Sequence, residues 1–489
     1  MNRPLSIVSA TAALLVTLAG AQAQVLGPRI TNPATGNRYY RLNWTGATWT
    51  QMRNYARNMG GDLVTINDAA EQTWLVANVL QPNAKYFIGL SDAAVEGTFV
   101  WSDGSPSTYR NFAANTGDNS QGSDYALIAT GNSGLWDVRN ETWTSDAVIE
   151  VSGGIYYPGE ASTLSLAIQL ANTSGLGEVR VAPGTHTLET GINVPGNIVL
   201  RGSGAGVTTL QGPPTGPAFT GSSNLTFEDI TLTSRDTLPF ISLPNVAGTN
   251  ELTFRRSVMT SILGRSNTTF VGTGYEKLLL EGCTIHTLDT FLDSSNTSTA
   301  IRMVNTVFRD NNRFLNSADS NLDVVMTNCV FARNLSDIIP VNSAAFVTNS
   351  IALSNASLSR MTFWDSLSPA PLPNANPAAN NTVANPGFVN AAGNDFRLLE
   401  TSPAIDRGNP ARFLTSGATA LLDAVSNARI RDAKGYDNAD SENPIDIGAF
   451  EFQGDMGCDD IDFNNDTSIF DPMDIDAFLS VYSEGPCIR

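Results

Sequence analysis

An eight-residue phrase returns six times between Leu225 and Ala352, as LTFEDITL, LTFRRSVM, LLLEGCTI, IRMVNTVF, VVMTNCVF and AFVTNSIA, and no other feature constrains the fold as much. Each copy alternates inward apolar with outward polar residues. The fifth position falls at Asp229, Arg256, Gly282, Asn305, Asn328 and Asn349, so successive copies are 27, 26, 23, 23 and 21 residues apart. A period near 23 made of short strands and turns predicts a parallel β-solenoid, because a single rung cannot bury its apolar face and must stack on neighbours. Residues at equal phrase positions then lie above one another at the strand spacing of about 4.8 Å. Position five gives the column Asn305, Asn328, Asn349, and six residues later comes a second column, Asn311, Asn334, Asn355. Asparagine amides hydrogen-bond along such columns at tight turns, so both columns read as structural.

The same register sorts the four cysteines. Cys283 and Cys329 share a column with Thr306 between them, which puts them about 9.6 Å apart, beyond the roughly 7 Å reach of a disulfide. They are expected to be buried free thiols. Cys458 and Cys487 bracket a short C-terminal segment too small for a core of its own. A bridge between them is expected to contribute about 3 to 4 kcal/mol.

The repeat region resembles the right-handed parallel β-helix of the pectin-lyase-like superfamily over residues 160–452. Ser162 to Ala171 reads as a short amphipathic helix capping its N-terminal end, followed by EVRVAPGTHTL and NIVLRGSG as first rungs. NPGFVN, DFRLLETSPAIDRG and DIGAFEF look like closing rungs, with Asp406 capping backbone amides in a turn.

Ahead of the repeats, residues 28–151 mix helix and strand signals, with residues 152–159 as a linker. Thr48 to Met59 and Asp68 to Leu80 read as helices around the strand GGDLVTI. With YFIGLSD, FVWSDGSP, LWDV and AVIEV in that order, this stretch resembles a C-type lectin-like domain. Two cysteines usual in that family are replaced by Ala56 and Ile149, so packing alone must join the terminal strand to the first helix. The resemblance implies a calcium-dependent sugar site on a long loop and a Trp-Asn-Asp strand. Here the loop reads Asn115-Thr116-Gly117-Asp118-Asn119 without the proline, and the strand reads Trp136-Asp137-Val138. Asp118, Asn119, Asp124 and Asp137 remain as oxygen donors, with Trp136 beside them, and these five are the candidate ligand-binding residues.

The tail, residues 453–489, places Asp462, Asn464 and Asp466 at the 1, 3, 5 spacing of a calcium loop, with Asp471 or Asp474 available to close it. It resembles a single dockerin-like half EF-hand in which Thr467 stands where the turn glycine is expected. Acidic tails ending in GPC are similar to those of exported proteins of planctomycete-like bacteria, which implies a surface or sorting role. At the other end, Arg3, an apolar run through Leu14 to Leu18 and Ala21-Gln22-Ala23 read as a signal peptide over residues 1–23. No later stretch reaches the roughly 18 continuous apolar residues of a membrane span.

Net charge of −19 argues against a nucleic-acid partner and suits calcium-rich surroundings. With two histidines in the chain, a His-rich zinc or haem site is not expected. β-Helix enzymes act in a groove along one face, and one patch here collects His286, Asp289, Arg309, Asp310 and Arg313. The structural reading of that patch, surface ion pairs and turn residues, is preferred. The sequence thus predicts a mainly β protein: an α+β C-type lectin-like domain, a right-handed parallel β-helix and a small calcium-loop tail. The expected function is that of a secreted or cell-surface, monomeric, carbohydrate-binding adhesion protein whose partner is a glycan or a surface protein. The alternative is a polysaccharide lyase or glycoside hydrolase that the lectin-like domain targets to its substrate.

Overall fold

The computed structural model describes residues 25–452 apart from 115–121, 222–223, 243–249, 267, 273–274, 294–299, 317–321, 340–343, 377–379, 415–422 and 425–444. The stretch read as a signal peptide and the tail, with Cys458, Cys487, Asp462, Asn464, Asp466, Asp471 and Asp474, lie outside the described residues, as do Asp118 and Asn119. The chain divides into two compact units, residues 1–153 and 154–489. The fold is mainly β.

In the first unit a nine-stranded sheet is flanked by helices α1 (Trp49–Asn58) and α2 (Ala69–Asn78). Both helices start where the sequence supplies a cap. Thr48 and Gln51 form a capping box on α1, and the Asp68 carboxylate accepts from the Glu71 amide at 2.8 Å on α2. The central strand Lys85–Ser91 pairs antiparallel with Tyr125–Ala129 and parallel with Asp146–Val151. Ala56 and Ile149 are fully buried in one cluster with Met52 and Phe87, so apolar packing occupies the positions where the family resemblance expected a disulfide.

In the second unit, α3 (Leu164–Thr173), capped by Thr163, follows the first strand, Ile155–Tyr157, of three parallel sheets of ten, ten and six strands. The register matches the phrase alignment: Phe227, Phe254, Leu280, Met303, Met326 and Val347 follow one another up a single column. Inside, Phe240, Phe270, Phe291 and Phe314 stack with centroids 5.0, 6.0 and 5.3 Å apart. The fifth phrase position is left-handed in all six copies, with φ between 46° and 64°. That conformation turns the chain from one sheet to the next, and Gly, Asn and Asp adopt it most readily. Arg256 does so too, with its guanidinium fixed on Asp229 by bonds of 2.7 and 2.8 Å.

The second asparagine column forms the expected ladder. Asn334 Oδ1 accepts from the Asn311 amide at 3.1 Å, while Asn334 Nδ2 donates to Phe308 O at 3.0 Å and to Asn355 Oδ1 at 2.8 Å. The first column departs from expectation. Asn349 donates to Asn328 at 3.3 Å, but Asn328 and Asn349 also donate to the carbonyls of Asp446 and Asn409 at 2.8 and 2.9 Å. These carbonyls belong to a C-terminal strap, and the strap corrects the reading of the closing rungs. Phe388–Asn390 pairs antiparallel with Asp395–Leu398, and Phe396, Ala404, Ile405, Ile447 and Ala449 cover the outward residues Val307, Val330, Ile351 and Leu367 of the second sheet. Those outward positions are apolar, so burying them favours a covering segment over further rungs. Within the strap the Asp406 amide donates to Asp446 Oδ1 at 2.7 Å.

Cys283 and Cys329 are buried free thiols in a column of small polar side chains. The Cys283 amide donates to Thr306 Oγ1 at 3.3 Å and the Cys329 amide to Ser350 Oγ at 3.0 Å. On an outer face Arg201, Glu228, Arg255 and Glu281 alternate in register, with Arg255 2.9 Å from Glu228 and 3.3 Å from Glu281.

Candidate calcium and ligand site of the lectin unit

The mouth of the long loop is set by strand pairing. Ser91 stands opposite Tyr125, and the next step outward brings the Asp92 amide to Asp124 O at 3.1 Å. Asp92 ends the central strand and opens a turn: its carbonyl accepts from Val95 N at 3.0 Å and its Oδ2 from Gly97 N at 3.0 Å. The side chain is buried, with the residue 1% exposed, and Oδ1 has no hydrogen-bond partner. Loss of water and then repulsion from Asp92 and Asp124 raise the Glu96 carboxyl above its ordinary range. Asp124 is raised by loss of water and then by Asp92 and Glu141. A buried carboxylate oxygen without a partner, beside two acids pushed toward protonation, is an arrangement short of one positive charge.

These donors are hard oxygens of the kind that calcium takes in sets of six to eight. Among the described residues no group of three or more His, Cys, Asp or Glu stands ready to hold a metal ion. Any complete set therefore draws on further oxygens. Asp118 and Asn119, which precede Asp124 by six and five residues in the sequence, lie outside the described residues.

The remaining expected ligands are placed elsewhere. Asp137 lies on the strand Leu135–Arg139, ion-paired with Arg139 and accepting from its neighbour Val138 N at 2.9 Å. Trp136 belongs to the core, which corrects its place among the ligand-binding candidates. It is fully buried, donates from Nε1 to Gln72 Oε1 at 2.8 Å, and meets Trp101, Tyr109 and Phe112 edge-on at 5.7, 5.6 and 5.7 Å. Sequence reasoning passed over Asp92, Glu96 and Glu141. The available signal was the pair of acids four residues apart in SDAAVEG, directly after the central strand.

A second carboxylate pair, buried Glu71 and half-buried Glu150, joins α2 to the strand Asp146–Val151. Tyr39 Oη lies 2.6 Å from Glu71 and 3.1 Å from Glu150. Burial and then the Glu71 charge push Glu150 up to about 7, although the Thr65 amide donates to it at 3.1 Å and Asn37 at 2.7 Å.

The solenoid patch is brought together as the columns require. His286 stands opposite Arg309, and its Nδ1 lies 2.9 Å from Thr287 Oγ1. Burial and then Arg309 push it down to about 4, so the ring is neutral at pH 7. Burial raises Asp310, but hydrogen bonds from Arg333 at 2.9 and 2.8 Å and from Arg309 at 2.9 Å outweigh it and hold the carboxyl below its ordinary range. Asp289 accepts from Asn312 at 2.5 Å, and Arg313 Nε is buried without a partner. Cross-rung pairing thus occupies Asp310 and Asp289, and the patch is held as ion pairs and turn contacts.

Residues 45–148 match the family description "Lectin C-type domain". Mouse low affinity immunoglobulin epsilon Fc receptor is 37% identical over 90 residues, 18% of this chain and 26% of that protein. Human C-type mannose receptor 2 is 29% identical over 102 residues, 21% of this chain and 7% of that protein. The chain therefore spans about a quarter or less of the length of these relatives. The human scavenger receptor C-type lectin carbohydrate-recognition domain aligns with 25% of this chain and 94% of its own, at 21% identity and a TM-score of 0.22. Residues 45–148 are a C-type lectin domain, followed in the chain by a β-solenoid.

Proposed function

We propose that this chain is an exported carbohydrate-binding protein in which the lectin unit contacts a glycan through its long loop and the solenoid serves as a spacer. Calcium joins Asp92, Glu96 and Asp124 to Asp118 and Asn119, neutralising the acids and fixing the loop for the sugar. The observation that carries this reading is the buried Asp92 carboxylate, whose unpartnered Oδ1 sits between strands that the lectin match spans. A solvent-exposed acidic loop would have no reason to bury a carboxylate without a partner. The tail supplies a separate, weak calcium loop through Asp462, Asn464, Asp466 and Asp471 or Asp474, closed by Cys458 and Cys487. The relatives fit a glycan ligand, since one is named a mannose receptor. The reading is tested on a glycan array probed with the whole chain in calcium and in chelator. A set of calcium-dependent spots that Asp92→Asn erases is expected, and binding indifferent to both changes would refute the calcium assignment.

A further inference from the structure

Each rung of the second unit is bonded to the rungs above and below it, as in any stacked repeat. The strap is joined differently, because short pieces of it touch several rungs at once. Ile445 packs with Phe413 on Val304, the Asp446 carbonyl accepts from Asn328 Nδ2 at 2.8 Å, and Gly448 N donates to Asn349 O at 2.8 Å. Val304, Asn328 and Asn349 belong to three successive rungs, so the stretch from Ile445 to Gly448 crosses all three at a spacing of about 4.8 Å. Asn409 reaches one rung further: its amide donates to Asn349 Oδ1 at 2.8 Å and its Nδ2 to Asp365 Oδ2 at 3.4 Å. Gly448 is seated between rungs, where an added Cβ would lie 2.8 Å from Ile351 Cδ1 and 3.6 Å from Val330 Cγ2.

The pieces of the strap are also tied to one another. Gly408 N donates to Ile445 O at 2.8 Å, and Ile447 N donates to Ala404 O at 2.9 Å. Ile447 lies with Phe396, Ala404, Ile405 and Ala449 on Val307, Val330, Ile351 and Leu367, one residue from each of four successive rungs. Arg333 Nη1 adds a bond of 2.7 Å to Ala391 O. A rung in this stretch can leave its neighbours only by breaking from a strap that the other three still hold. Lower on the same sheet the equivalent outward positions are Thr209, Thr231, Val258 and Thr284, all half-exposed.

We infer that the strap is a clamp: it makes the four rungs between Ala300 and Ser368 open as one block, whereas the rungs between Leu225 and Ser261 open separately. Burial of the outward apolar column holds the clamp to all four rungs, and the asparagine bonds fix its register on them. Residues 453–489 continue from the strap and not from the last rung, so a load arriving from that side is passed to four rungs together. The inference concerns the second unit alone and does not rest on the sugar reading of the lectin unit.

The test is native-state hydrogen exchange of the whole chain, read by mass spectrometry on wild type and Ile447→Ala. Loss of the buried Ile447 side chain is expected to lower protection by one common factor, at least about tenfold, in Ala300–Val304, Asp323–Thr327, Ala345–Thr348 and Met361–Trp364. These strands belong to a different sheet from the one Ile447 covers, so the loss of a merely local contact would not reach them. Leu225–Glu228 and Glu251–Arg255 are expected to keep their wild-type protection. Ile447→Val, a milder change, is expected to give the same pattern at about threefold and carries the test should Ile447→Ala not fold. Loss confined to Val330–Ala332 and Ile351–Leu353, loss extending equally to Leu225–Glu228, or unchanged exchange in both variants would overturn the clamp.

Discussion

The two units find partners for buried polar groups by different means. Along two of the solenoid columns a buried polar side chain is met by a residue one rung away, as in the ladder of Asn311, Asn334 and Asn355 or the contacts of Cys283 with Thr306 and of Cys329 with Ser350. Repetition supplies the partner. In the lectin unit the buried acids Asp92 and Glu71 and the half-buried Glu150 occur once each, and what satisfies them must come from elsewhere in the unit or from a ligand.

Breaking the solenoid should be costly and indifferent to ligand. Phe291→Ala removes a fully buried ring from the middle of the phenylalanine stack and is expected to destabilise the second unit by about 3 to 5 kcal/mol in denaturant unfolding. A loss under about 1 kcal/mol would mean that the stack is loosely packed.

The lectin unit should instead respond to pH. Glu150 has an ordinary value of 4.5 and a folded value near 7, so within that window the folded state holds a proton that the unfolded chain has released. The stability it contributes is complete below 4.5 and is lost as pH rises through 7, an effect of at most about 3 kcal/mol. Six of the seven tryptophans lie in the lectin unit, so tryptophan-monitored unfolding reads it selectively. Glu150→Gln should flatten the slope between pH 4.5 and 7.

Asn334→Ala sharpens the comparison from the solenoid side. It leaves the Asn311 amide and the Phe308 carbonyl without their present partners, for an expected loss of about 2 kcal/mol that does not vary with calcium. The smallest effect belongs to Gly282→Ala. Its φ is 64° and the nearest atom to an added Cβ is 3.5 Å away, so only the left-handed backbone opposes the change, by about 1 kcal/mol. A larger loss would show that space, as well as conformation, selects glycine there.

Legibility in the sequence followed the same division. Rungs, their register, the left-handed fifth position and the free thiols could be aligned because each recurs, and the charge ladder Arg201, Glu228, Arg255, Glu281 was legible by the same means, since its last three members occupy the fourth phrase position. The strap was misread because its segments are apolar and short like rungs, and nothing local in NPGFVN or DIGAFEF shows that their partners are the outward residues Val307, Val330 and Ile351. In the lectin unit the order of elements was legible, and so was Asp124 at the loop. Asp92 was not, because its significance lies in burial and in facing Asp124 across paired strands, a relation between residues 32 apart in the chain. Trp136 was set beside the ligands by its neighbours in sequence, while strand alternation turned it inward against Gln72.

The central claim, that the lectin unit is built around a charge it does not itself supply, is tested most directly by calcium titration of wild type and Asp92→Asn, following tryptophan-monitored unfolding. Calcium at about a hundred times its dissociation constant should stabilise the wild-type lectin unit by about 2.7 kcal/mol. The Asp92→Asn protein should show little or none of that gain and should be at least as stable as wild type without calcium, since a buried carboxylate with an unpartnered oxygen has been neutralised. Equal calcium responses in the two proteins, or no response in either, would contradict the account.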